Sequence, residues 1–164
     1  MSGSIDKLGA ELQARGHSYA LVVARWNAAI TEPLLEGAIQ ALKEQGAEDN
    51  DIKIHRCAGA FELVGAVARA AQRTGVDGVI AIGCLIKGDT DHYEYIAGPV
   101  SQALALLSVE LAVRTNPVAL AFGLLTVRTE AQAEERARPG PENKGAEVAL
   151  ACIEQVNLLR AIAL

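Results

Sequence analysis

The chain has 164 residues, of which 51% are hydrophobic and only 4% aromatic, and its formal net charge at pH 7 is −5. This length suits one domain with a single core. The net negative charge provides no overall basic field, which argues against a nucleic-acid partner. No apolar run reaches the ~18 residues that span a bilayer, and residues 1–16 lack the pattern of a signal peptide. We therefore expect a cytoplasmic protein with no membrane partner.

The first strand leads through a short loop into a helix whose two ends are both marked in the sequence. A short apolar run at 19–25 predicts a strand, and an apolar pattern of helical period follows at 30–42. Thr31 is read as the N-cap of this helix, with Pro33 in its first turn, and Gly46 as the residue that ends it.

The same alternation of strand and helix continues to the end of the chain. The further predicted elements are strand 51–55, helix 61–74, strand 78–86, helix 93–113, strand 117–127, a short helix after Thr129 and helix 143–163. Four strands alternating with helices through short links predict an α/β fold, with a four-stranded parallel sheet between two layers of helices. We assign residues 1–18 to an N-terminal segment and residues 19–164 to a single domain.

The three cysteines, Cys57, Cys84 and Cys152, are far apart and show no CxxC spacing. Their apolar neighbours favour buried, reduced thiols, and a catalytic thiol is the alternative.

Ligands of such sheets bind beyond the carboxyl ends of the strands. One of these segments, Gly88-Asp89-Thr90, lies between a buried strand and a long helix. Free backbone N–H groups and the helix dipole favour an anion such as phosphate there, and glycine permits its close approach. A turn that only caps the helix is the alternative, and Asp89 and Asp91 oppose an anion unless both carboxylates point away.

His92 lies two residues after this turn, and imidazole is the side chain best suited to proton transfer near neutral pH. His17 and His55 are read as surface or strand-end residues. Trp26 directly follows a strand, where its indole either plugs the sheet edge or stacks on a flat heterocycle. Arg136 and Lys144 flank the loop at 139–141 and are either phosphate donors or solvated helix residues.

Several of these segments together carry a family resemblance. Residues 19–159 resemble lumazine synthase in four motifs: Ala24-Arg-Trp-Asn27, Gly59-Ala-Phe-Glu62, the run Gly83-Cys-Leu-Ile-Lys-Gly-Asp-Thr-Asp-His-Tyr-Glu-Tyr-Ile96, and Ala121-Phe-Gly-Leu-Leu-Thr126 with Glu135-Arg-Ala137 and Asn143-Lys-Gly145. The chain departs from the family pattern at Ala58, Val64, Asp91 and Arg138.

The resemblance implies a flavodoxin-like fold and a role for each matched residue. His92 would be the catalytic proton shuttle. The pyrimidine and its ribityl chain would be bound by Trp26, Asn27, Ala60, Phe61, Glu62, Cys84, Leu85, Ile86 and Phe122. Phosphate would be bound by Asp89, Thr90 and Arg136, with Lys144 as a further substrate contact.

The activity implied is the condensation of 5-amino-6-(D-ribitylamino)uracil with 3,4-dihydroxy-2-butanone 4-phosphate in riboflavin biosynthesis, which needs no metal and no cofactor. The resemblance also implies a pentamer, or an assembly of pentamers, with sites between subunits. Trp26, Glu62 and His92 would then come from one chain, and Phe122 and Arg136 from its neighbour. Residues 1–18 would pair with a neighbouring subunit.

Two other classes of protein stay open from the sequence. A non-catalytic flavin-binding protein could retain riboflavin against Trp26, and a shell-forming protein could use the same fold for assembly alone. Riboflavin binding is also compatible with the enzyme.

Overall fold

The computed structural model describes residues 9–162. Its strands and helices are, in chain order, β1 (Tyr19–Ala24), α1 (Ala28–Glu44), β2 (Ile52–Cys57), α2 (Ala60–Ala70), β3 (Gly78–Ile86), α3 (His92–Ala112), β4 (Ala119–Val127), α4 (Glu130–Ala137) and α5 (Lys144–Ala161). The strands pair in parallel in the order β2-β1-β3-β4. The predicted flavodoxin-like three-layer α/β sandwich is therefore confirmed. Of the predicted N-terminal segment, residues 1–8 lie outside the described residues.

The sheet separates two hydrophobic cores. Leu21 and Val23 of β1 face α1, α4 and α5, whereas Ala20 and Val22 of the same strand face α2 and α3. All of β1 is buried, as is most of β3, because helices cover both faces of these central strands. The edge strand β2 is only partly covered, with Ile54 exposed.

The start of α1 differs from the sequence prediction. Its N-cap is Asn27, whereas Thr31 lies inside the helix and Pro33 lies one turn beyond the predicted position. The Thr31 side chain is fully buried, and its hydroxyl donates a 2.8 Å hydrogen bond to the Ala24 carbonyl at the end of β1. Thr31 therefore links the helix to the strand instead of capping the helix. The prediction for Gly46 is confirmed, because this residue has φ 104° directly after the C-cap.

His17 was expected at the surface or a strand end, and only the second description fits. It lies just ahead of β1, is 6% exposed, and its Nδ1 is 3.3 Å from the Tyr19 hydroxyl. A hydrogen-bonding partner for the ring lowers the free-energy cost of burying it.

The loop between α4 and α5 is held by one buried side chain. Asn143 is 1% exposed, and its Nδ2 donates to the carbonyls of Pro33, Ala137 and Arg138, while its Oδ1 accepts from the Ala146 N–H. The end of α4 is thereby fixed against α1 and α5.

Helix α3 leaves much of its apolar surface uncovered in the single chain. Only Val100, Leu104 and Leu111 are buried, while Leu106 and Val109 are exposed. Of the helices at 9–162, this one alone has the length and hydropathy of a membrane span, and 17% of that window is buried. A large exposed apolar patch is also typical of a protein–protein contact.

Candidate active site

A cavity of about 740 Å³ opens at the carboxyl ends of β1, β2 and β3. It is lined by the segments that follow these strands and by the first turn of α3. The lining residues are Trp26, Asn27, Ala58, Gly59, Ala60, Phe61, Glu62, Leu85, Ile86, Gly88, Thr90, His92, Tyr93, Tyr95 and Ile96.

Most of the site residues predicted from the sequence meet in this cavity. They are Trp26, Asn27, Ala60, Phe61, Glu62, Leu85, Ile86, Thr90 and His92. Residues from three different strand ends are brought together because parallel strands end at the same edge of the sheet.

The turn after β1 presents the indole of Trp26 to the cavity. The Arg25 N–H donates to the Cys57 carbonyl at 2.9 Å, and the Trp26 N–H donates to the Ala58 carbonyl at 3.0 Å. The Trp26 side chain is 72% exposed. The indole therefore does not plug the sheet edge in the single chain, and its ring is accessible to a ligand.

The first turn of α2 places a carboxylate in the wall of the cavity, beside Gly59. Glu62 lies in that turn, where the positive end of the helix dipole favours a negative charge. Its Oε2 is packed close to Gly59, where an added Cβ would lie only 3.3 Å away. Phe61 is 64% exposed and adds an aromatic surface beside this carboxylate. The wall can thus contact both a flat ring and a hydroxylated chain.

The turn between β3 and α3 provides the polar end of the cavity. His92 is the first residue of α3, and its N–H lies 3.4 Å from the Thr90 hydroxyl oxygen. A Cβ added at Gly88 would meet no protein atom within 4 Å, so the space above this glycine is open. The amino terminus of a 21-residue helix favours an anion at this position.

The first turn of α3 supplies lining residues that the sequence reasoning did not single out. Tyr95 and Ile96 follow His92 by three and four positions, which places them on the same face of the helix. This spacing was a signal available in the sequence. Tyr93 and Ala58 also line the cavity, next to residues that were predicted.

Cys84 does not line the cavity, although the resemblance assigned it to the pyrimidine pocket. Its side chain is buried in the core between the sheet and α1, and only its carbonyl reaches a cavity residue, Asn27. Burial raises the pKa of Cys84 to about 11 and that of Cys152 to about 12, so neither is a thiolate at neutral pH. This disfavours a catalytic thiol at either position. Among residues 9–162, no three His, Cys, Asp or Glu side chains are grouped as metal ligands.

The remaining predicted site residues also lie outside the cavity. Phe122 is on the edge strand β4, 44% exposed, beside a shallow groove along α3. Arg136 is in the last turn of α4, and its guanidinium donates to the Gln132 carbonyl at 3.0 Å. Lys144 pairs with Glu147 at the start of α5. Asp89 is exposed in the turn before α3 but is not among the lining residues.

The comparison with known families agrees with this geometry. Residues 16–160 match the family model described as 6,7-dimethyl-8-ribityllumazine synthase. The chain belongs to the lumazine synthase family. The match spans every strand and helix up to the last turn of α5, so it includes all the segments that line the cavity.

Individual lumazine synthases align with nearly the whole chain. The enzyme of Anaeromyxobacter sp. (strain Fw109-5) is 43% identical over 152 residues, which cover 93% of this chain and 90% of that protein. The enzyme of Myxococcus xanthus (strain DK1622) is 43% identical over 140 residues, covering 85% and 84%. The enzyme of Chlorobium phaeobacteroides (strain DSM 266 / SMG 266 / 2430) is 42% identical over 156 residues, covering 95% and 97%.

Proposed function

We propose that this chain is a transferase that condenses 5-amino-6-(D-ribitylamino)uracil with 3,4-dihydroxy-2-butanone 4-phosphate to form 6,7-dimethyl-8-ribityllumazine, phosphate and water in riboflavin biosynthesis. The observation that carries the proposal is the cavity itself. In a chain of the lumazine synthase family, it combines an exposed indole, a carboxylate and a histidine at a helix amino terminus.

The apolar part of the cavity suits the pyrimidine. Trp26 offers a flat ring for stacking, and Leu85 and Ile86 form an apolar wall at the end of β3. Glu62 is a carboxylate that can accept hydrogen bonds from the hydroxyls of the ribityl chain. Phe61 directly precedes Glu62 in the sequence and adds a second aromatic ring to the lining of the cavity.

The polar part of the cavity suits the phosphate of the second substrate. The start of α3 offers its dipole, Thr90 offers a hydroxyl, and the open space above Gly88 lets a phosphate approach the backbone. Asp89 would contribute its backbone N–H, with its carboxylate turned to solvent. Arg136 would add a bidentate guanidinium from outside this cavity.

We assign the proton transfers of the reaction to His92, which lines the cavity at the start of α3. The pyrimidine amine condenses with the ketone of the sugar phosphate and releases water, phosphate is then eliminated, and closure of the ring releases a second water. Each step moves a proton, and a positioned imidazole can accelerate proton transfer by roughly 10²-fold. Holding the two substrates together contributes further, since it makes the first step effectively unimolecular. In this mechanism the chain's own groups suffice, with no metal or cofactor.

We further propose that a second copy of the chain completes each site. Phe122 and Arg136 do not line the cavity of their own chain, but Phe122 is exposed and Arg136 is partly exposed, so a neighbouring copy could bring them to it. The uncovered apolar surface of α3 beside the groove at Phe122 supports such a contact. A pentamer, or an assembly of pentamers, would bury this surface, and residues 1–18 would pair with a neighbour. A cytoplasmic location accords with this proposal.

The deciding experiment follows the absorbance of the lumazine product with the purified chain and both substrates. Product formed by the wild type, and much more slowly by a His92→Ala variant, is the expected result. If neither protein makes product and the wild type binds riboflavin tightly, the chain is a flavin-binding protein instead. If large assemblies form with neither activity nor binding, it is a shell protein.

A further inference from the structure

The backbone of Asn27 has a conformation that few residues adopt. Its φ is 61° and its ψ is 45°, and among the described non-glycine residues only Ala10 shares a positive φ. Asparagine tolerates this left-handed region better than most residues. The Asn27 carbonyl accepts hydrogen bonds from the Ile30 and Thr31 N–H groups. Asn27 is therefore the last residue of the three-residue turn that joins β1 to α1.

The side chain of Asn27 does not cap the helix that it precedes. Instead, its Nδ2 donates a 2.9 Å hydrogen bond to the carbonyl of Cys84, 57 residues further along the chain. Cys84 is followed directly by Leu85 and Ile86, which line the cavity. One amide group thus connects the turn after β1 with the end of β3, which are two different walls of the cavity.

Trp26 directly precedes Asn27, whose side chain donates this hydrogen bond. Its backbone N–H is held by the Ala58 carbonyl, but its indole is 72% exposed and so has little packing of its own. The direction in which the indole leaves the turn therefore depends on the backbone at positions 26 and 27.

We propose that Asn27 is a positioning residue, whose left-handed backbone and hydrogen bond to the Cys84 carbonyl hold the Trp26 indole at a fixed distance from Leu85 and Ile86. The distance between the indole and these two residues would fix the width of the site for a flat heterocyclic ring. That the ring is the pyrimidine rests on the proposed function, whereas the positioning of the indole does not.

Trp26 is the only tryptophan of the chain, so its fluorescence reports on this turn alone. The experiment compares the time-resolved anisotropy of Trp26 in the ligand-free wild type with two variants. Asn27→Asp keeps the side-chain shape and replaces the donor with an acceptor. Asn27→Gly adopts the left-handed backbone without strain and removes the hydrogen bond to the Cys84 carbonyl. It should therefore fold even if the aspartate variant does not.

The matched control is Asn157→Asp. The Nδ2 of Asn157 donates to the carbonyls of Glu11 and Gln13, so this substitution removes the same kind of hydrogen bond far from the cavity. We expect faster local motion of the indole in both Asn27 variants than in the wild type, and no change in the control. We also expect the KM for the pyrimidine to rise about tenfold in Asn27→Asp, with a much smaller change in kcat.

The proposal is overturned if the ligand-free anisotropy of Trp26 is the same in the wild type and in both Asn27 variants. A raised KM without a change in anisotropy would mean that Asn27 only contacts the substrate. If the wild type forms no product, the proposed function fails, and the anisotropy still decides whether Asn27 positions the indole.

Discussion

Lys87 and Glu94 form an ion pair across the turn that joins β3 to α3, with the lysine Nζ 2.5 Å from the glutamate Oε1. Their hydrogen bond raises the pKa of Lys87 and lowers that of Glu94. Lys87 is also anchored by its backbone, because its N–H donates to the Val127 carbonyl at 2.9 Å. The pair therefore bridges the segment that contains Gly88 and Thr90, where we propose that phosphate binds.

Breaking this ion pair should weaken binding of the sugar phosphate. Lys87→Met and Glu94→Gln should each raise its KM about threefold, and the double variant should be no worse than either alone, because both remove one interaction. Since the pKa of Glu94 is lowered, the pair persists above the ordinary glutamate pKa and is lost as the pH falls through the lowered value. Additive effects of the two substitutions would contradict this prediction. Asp49→Asn, which breaks the Lys43–Asp49 pair far from the cavity, is the control.

Removal of the His92 imidazole should slow the reaction without preventing binding. We expect His92→Ala to lower kcat by about 10²-fold and to leave both KM values nearly unchanged, since the cavity walls remain. His92→Gln can form hydrogen bonds but cannot shuttle protons at neutral pH, so it should be as slow as the alanine variant. Steady-state kinetics with both substrates measure these effects. A normal kcat in either variant would show that His92 is not the shuttle.

Arg136→Ala should mainly weaken binding of the sugar phosphate. The guanidinium would contribute a charge-assisted hydrogen bond, so its loss should raise the KM for this substrate about tenfold or more. The KM for the pyrimidine should change little, and steady-state kinetics distinguish the two effects. A normal affinity for the sugar phosphate would remove Arg136 from the site.

Mixing two impaired variants tests whether sites are shared between copies of the chain. Co-expressed His92→Ala and Arg136→Ala chains would form some interfaces in which both residues are wild type, if the residues come from different subunits. Assayed with sugar phosphate well below the KM of the Arg136→Ala variant, the mixed assembly should then be more active than the average of the two parents. Activity equal to that average would indicate that each site lies within one chain.

Acid should destabilise the chain partly through His17. Burial, followed by the charge of Arg160, lowers the pKa of His17, whereas the charges of Asp77, Glu11 and Asp51 act in the opposite direction. The folded state therefore favours the neutral ring. This contribution to stability is fully present above the ordinary histidine pKa and is lost as the pH falls through and below it.

The comparison of the wild type with His17→Gln isolates this effect. Between neutral pH and about pH 5, the free energy of unfolding should fall more steeply in the wild type, because the glutamine does not titrate. Urea unfolding at several pH values measures both slopes. Parallel curves would mean that protonation of His17 does not couple to folding.

The order of elements could be predicted because it depends on local patterns. The apolar strand at 78–86 was predicted with the bounds that the structure has, since an unbroken apolar run between turn residues is a strong signal. The start of α1 was predicted wrongly. Threonine is a common N-cap residue, but the Thr31 hydroxyl donates to the Ala24 carbonyl instead. A capping motif shows that a suitable residue type is present, but it does not show which backbone group the side chain will bond.

The site was predictable in part for the same reason. Trp26 and His92 lie where a strand is linked to the next helix, so their place at the carboxyl edge of the sheet followed from the alternation of strands and helices. Cys84 shows where this reasoning ends. Side chains alternate between the two faces of a strand, but β3 is apolar on both, so its pattern does not say which residues face α1.

The sequence by itself determined the fold class, the edge of the sheet at which the cavity lies, and the family, because strand periodicity, turn residues and short motifs are properties of neighbouring residues. Only the tertiary structure decided that Asn27 reaches the Cys84 carbonyl, that the Cys84 side chain faces α1, and that Phe122 and Arg136 lie outside the cavity of their own chain. These relationships depend on strand register and helix packing, which bring together residues separated by tens of positions along the chain.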